Sequence, residues 1–157
     1  MGKRSIRQWF GPVRWVAAVS VLALASCGGG QSQESVGDFT IYVHDTSILP
    51  RGGEDSLLEG ELVVRDGCAL LARDSGELFP VVWPSGTSVG DEDSLTLELA
   101  SGGRLEVGQR VSGGGGTHPA SSERVGVDIK NECFASEGPD SDLVMVFNPD
   151  EELTVEG

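Results

Sequence analysis

Two histidines, three cysteines and a run of four glycines are the parts of this 157-residue chain whose chemistry must be weighed first. His44 follows the apolar stretch ending at Val43 and precedes Asp45. A neutral imidazole near a carboxylate can serve as a general base. Adjacent residues on an extended chain point to opposite faces, however, so His44 and Asp45 are not partners merely by adjacency. His118 stands just after the glycines at 113–116. A Ser–His–Asp triad drawn from Ser85, His118 and Asp91 lacks the strained Gly-x-Ser-x-Gly turn that exposes a nucleophile. No catalytic residue is therefore assigned, and the expectation is a protein that is not an enzyme. A secreted hydrolase using His44 or His118 is the competing reading.

Ligand chemistry is equally thin. Successive backbone N–H groups at glycines 113–116 can cradle an anion when the turn geometry suits. The run lacks the Lys and Ser/Thr that complete a phosphate loop, so a flexible turn or a close crossing of strand backbone is expected instead. Asp91, Glu92 and Asp93 form one acidic cluster, and Asp140 with Asp142 another. Neither matches a calcium-binding loop, which needs six to eight oxygen ligands. These clusters are read as solvated loops, with a weak cation-binding envelope component as a further alternative; no metal or cofactor is assigned. Trp83, at the end of an apolar run, is the one aromatic considered as a binding anchor. The commoner fate of such a Trp is burial in the core.

The elements that would position these residues read as short strands. The stretches 39–43, 61–65, 68–73, 77–83 and 143–147 are rich in β-branched, aromatic and other apolar residues. Asp66-Gly67 is a strong hairpin signal between the second and third of them. Pro80 demotes the early part of its strand to an edge or bulge. Leu95, Leu97 and Leu99 alternate with Thr96 and Glu98, the period of a strand with one face buried, and residues 104–107 complete a hairpin with them. Val125, Val127 and Ile129 alternate in the same way, predicting a strand that runs up to Cys133. Residues 112–119 are expected to form a long glycine loop. The expected fold is all-β: a small antiparallel barrel or sandwich of about seven short strands with one disulfide.

The N-terminal segment sets the location. Lys3, Arg4, Arg7 and Arg14 precede an apolar run from Val16 to Ala23, then Leu24-Ala25-Ser26-Cys27. Basic residues followed by a short apolar run form the pattern of an export signal. The run is shorter than the roughly 20 residues that span a bilayer. Leu24-Ala25-Ser26-Cys27 resembles the lipobox of bacterial lipoproteins. The resemblance implies cleavage before Cys27, lipidation of its thiol with a palmitate-like acyl chain, and attachment to the cell membrane or outer membrane on the extracytoplasmic side. With Cys27 assigned to lipid, Cys68 and Cys133 remain as an even pair in an oxidising compartment, and a disulfide between them is expected. Two buried free thiols are the alternative; a metal pair is incomplete without further ligands.

Cleavage also changes the charge. All 25 acidic residues but only seven basic ones follow Cys27, a formal charge of −18. Nucleic acid is excluded as a natural partner, since its phosphates need cationic neutralisation. The expected organisation is a signal peptide over 1–26, a flexible lipid-anchored tether over 27–36, a β-domain over 37–149 and an acidic tail over 150–157. The expected role is a non-enzymatic interaction or structural one in the cell envelope, with the membrane as one partner and a basic protein or envelope polymer as another.

Overall fold

The computed structural model describes residues 32–36, 39–44, 53–90, 96–134 and 142–157. The expected signal peptide, Cys27, Asp45, Asp91, Glu92, Asp93, Leu95 and Asp140 lie outside the described residues. The described chain is all-β. Its strands are β1 (Ser32–Val36), β2 (Phe39–Val43), β3 (Ser56–Arg65), β4 (Cys68–Ala72), β5 (Leu78–Trp83), β6 (Ser88–Val89), β7 (Thr96–Glu98), β8 (Arg104–Glu106), β9 (Arg110–Pro119), β10 (Leu143–Phe147) and β11 (Thr154–Glu156), with a 3-10 turn at Asn131–Cys133.

Turn chemistry fixes the hairpins. Asp66 and Gly67 both take positive φ, 50° and 76°, the conformation of a two-residue turn whose twist matches the flanking strands. Antiparallel β3 and β4 follow, in a register from Glu61↔Ala72 to Arg65↔Cys68. Gly76 at φ 84° turns β4 into antiparallel β5. β7 and β8 form the expected hairpin, with β6 on the other side of β7 in a separate three-stranded sheet.

The larger sheet is mixed, which corrects the purely antiparallel expectation. β3 pairs with β9 and β9 with β10, both antiparallel, while β10 lies parallel to β5 through Met145↔Val81 and Val146↔Val82. Since β5 also pairs with β4, the pairing path returns to its start. β2 runs parallel to both β4 and β5, through Thr40↔Cys68 and Tyr42↔Val82. Residues 78–80, around Pro80, take their ladder partners from β4, while residues 81–83 pair with β10 and β2. This placement suits a residue with no N–H to donate.

Four strands are buried on both faces. Phe39, Ile41 and Val43 of β2, Ala69 and Leu71 of β4, Phe79, Val81 and Trp83 of β5, and Met145 and Phe147 of β10 share an interior core with Leu58, Leu62 and Leu97. The intervening residues Tyr42, Cys68, Leu70, Val82, Val144 and Val146 form a second, outer core with Val125, Ile129 and Cys133. Two-sided burial explains why these strands read as continuous apolar runs.

Four local expectations change. Residues 112–119 are not a loop but most of β9, the strand between β3 and β10. The bare glycines admit side chains onto the strand: a Cβ on Gly113 would come within 2.5 Å of Leu153 Cδ2, and one on Gly115 within 2.7 Å of Leu58 Cδ1. Residues 125–133 are not a strand but turns and a 3-10 turn, although Val125 and Ile129 are buried as their spacing suggested. The backbone there bonds locally, Val125 N–H to Ser122 O at 3.0 Å and Cys133 N–H to Lys130 O at 2.9 Å, rather than in a ladder. The last five residues of the expected tether are β1, paired with β2 from Ser32↔Val43 to Val36↔Phe39. The acidic tail supplies β11, which pairs with β9, and buries Leu153.

Candidate functional site

Both histidines line one small cavity. His44 immediately follows β2, and its N–H donates to Trp83 O at 3.0 Å. Its Nε2 lies 2.8 Å from Phe147 O, where it donates as the N–H tautomer. The ring is buried, and burial pushes its pKa below the ordinary value, an effect opposed by the bond to Phe147. His118 belongs to β9, and its Nε2 lies 3.1 Å from Glu54 Oε2. Arg124 Nη1 approaches the other oxygen of Glu54 at 3.8 Å.

Glu54 is held from its backbone as well. Its N–H donates to Asn148 Oδ1 at 2.8 Å, and Asn148 Nδ2 donates back to Glu54 O at 3.1 Å. The carboxylate lies over Gly116, where a Cβ would overlap it and would also stand 2.9 Å from His118 Nε2. Gly116 is thus part of the site, because only a bare strand lets Glu54 reach His118. His44, Glu54, His118, Arg124 and Asn148, with Val146, Phe147 and Pro149, line a cavity of about 20 Å³. That is room for about one water molecule.

The cavity has room for one water or small polar group beside the His118–Glu54 pair and Arg124. Among the described residues that line it, none is a Ser, Thr or Cys that would act as a nucleophile. Among the described residues no group of three or more His, Cys, Asp or Glu is placed to hold a metal ion.

Other expected residues lie elsewhere. Ser85 lines a separate cavity of about 310 Å³ with Ser101, Asp150, Glu151 and Glu152, so the paper triad of Ser85 with His118 is not assembled. Asp142 contributes its carbonyl to Ala120 N–H at 2.7 Å. Trp83 is wholly buried in the interior core, its ring 5.7 Å from that of Phe147, and this removes it as a surface anchor. Its indole N–H finds no hydrogen-bond partner among the described residues, so packing alone fixes the ring. Cys68 and Cys133 are joined, with Cα atoms 5.5 Å apart, linking the start of β4 to the 3-10 turn.

Glu54, Arg124 and Asn148 were not singled out from sequence. Only the glycine run, read as a close crossing of strand backbone, pointed to something packed against β9. No known family model, curated protein or solved structure is significantly similar to the chain.

Proposed function

We propose that the protein is a lipid-anchored cell-envelope domain with a non-enzymatic interaction role, a small closed β-barrel held by acyl chains on Cys27. The observation that carries this reading is the buried Cys68–Cys133 disulfide in a chain that begins with a charged, apolar, Cys-terminated leader. Two independent features, the disulfide and the N-terminal segment, then point to export from a reducing cytosol. With β1 starting at Ser32, at most five residue steps separate Cys27 from the ladder, a reach of no more than about 18 Å. The partner of such a domain lies at the same membrane surface, and the charge of −18 after Cys27 favours a basic protein or polymer.

The interaction reading is tested by crosslinking in native membranes at low and high salt. A basic partner captured at low salt and lost at high salt supports it. The hydrolase reading has one specific observation in its favour, the His118–Glu54 pair beside a cavity. Hydrolytic turnover that disappears in His118→Ala while the fold is retained would replace the interaction role with that reading.

A further inference from the structure

The segment between β9 and β10 leaves the sheet and rejoins it at one place. Pro119 pairs with Leu143 in the ladder, and Ala120 N–H bonds to Asp142 O just beyond them. Between these points, residues 120–134 lie across the outer face of β2, β4, β5 and β10, burying Val125, Ile129 and Cys133. Polar and covalent ties along their length hold them there. Near the base Arg124 faces Glu54. Midway, Lys130 N–H donates to Tyr42 Oη at 2.9 Å, and Lys130 Nζ to Thr40 Oγ1 at 3.2 Å. At the far end Cys133 is bonded to Cys68 of β4.

An excursion whose ends meet in a hairpin can open without breaking a ladder pairing, as compact surface loops and local unfolding units do. The core beneath the sheet, with Trp83 and Phe147, is a separate cluster that makes no use of residues 120–134. We propose that residues 120–134 are a strap latched by the disulfide, which opens as a unit on reduction while the interior core stays folded. Reduction breaks the S–S bond and adds two electrons and two protons, leaving a thiol on Cys68 and one on Cys133. The reductant is a dithiol, which departs as its own disulfide. Both sulfurs are buried, so attack waits for the strap to loosen, and in an oxidising compartment the latch stays shut. Opening bares Tyr42, Leu70, Val82 and Val144, so the redox state of the compartment decides whether this apolar face is covered.

Trypsin reads the strap directly, because Arg124 and Lys130 lie in it while Arg65 and Arg110 lie in the ladder strands β3 and β9. The exported protein is compared before and after phosphine reduction, with both thiols verified by mass, and beside a Cys68→Ala, Cys133→Ala double variant. Cleavage after Arg124 or Lys130 is expected to rise at least about tenfold on reduction, with cleavage after Arg65 and Arg110 unchanged and Trp83 emission still that of a buried indole. A strap that stays protected once both sulfurs are reduced overturns the latch. Cleavage spreading to Arg65 and Arg110 with exposure of Trp83, in reduced protein or double variant, overturns independent opening.

Discussion

His44 and Gly115 show how single residues tie the chemistry of this chain to its stability. Burial lowers the folded-state pKa of His44, so the unfolded chain binds the proton more readily. The stability this contributes is present above the unfolded value of about 6.5 and is lost as pH falls below it toward the folded pKa. Thermal unfolding followed through Trp83 is therefore expected to show lower stability at pH 5 than at pH 7. His44→Gln, which keeps a donor for Phe147 O, should flatten that dependence; an equally steep loss in the variant would remove His44 as its source. Gly115 faces the opposite problem. A methyl group there meets Val146 O and Leu58, and backbone cannot move aside as a flexible side chain can. Gly115→Ala is expected to cost about 1–3 kcal/mol, as overpacking does. Ser112→Ala, on the same strand, should stay within about 0.5 kcal/mol. Equal denaturation midpoints for the two variants would contradict the close approach.

At the scale of elements, the hairpins were legible because their signals are local. Asp66-Gly67 specifies its own turn, and the runs at 39–43, 68–72 and 143–147 carry residues that suit strands. What failed depended on distant partners. Glycine lowers strand propensity, so residues 112–119 read as a loop; their place between β3 and β10 is set by side chains from Leu58, Glu54 and Leu153 that need bare backbone. The alternation Val125, Val127, Ile129 was a true sign of one buried face and a false sign of a ladder, since β2, β4, β5 and β10 needed an outer cover. In the candidate site the histidines were visible as types, while Glu54 and Asn148 became partners only through tertiary contact, 94 positions apart in sequence. The C-terminal segment gives the sharpest check of this scale. Leu153 is buried against Gly113, and β11 pairs with β9. Leu153→Ala is expected to lower stability by about 2–5 kcal/mol in denaturant unfolding. A frayed tail would leave the midpoint unchanged.

For the whole molecule, the charge after Cys27 and the proposed short tether act together. A mature chain of charge −18 would be repelled by an anionic leaflet; with the proposed anchor, burial of acyl chains contributes about 0.8 kcal/mol per CH₂, and two or more chains would hold against that repulsion. Membrane retention should therefore persist at both low and high salt, whereas binding to a basic partner should weaken as salt screens the acidic surface. Retention that high salt abolishes would indicate a protein held by charge rather than by lipid. The Cys68–Cys133 disulfide fits the proposed export, since disulfides persist in oxidising compartments. The most direct test is mass spectrometry of the protein extracted from membranes of its native host and digested without reduction. The proposed anchor and the disulfide together predict an N-terminal peptide beginning at Cys27 and carrying acyl chains, and one crosslinked pair containing Cys68 and Cys133. A retained leader or an unmodified Cys27 thiol in the membrane-bound protein would contradict the anchor.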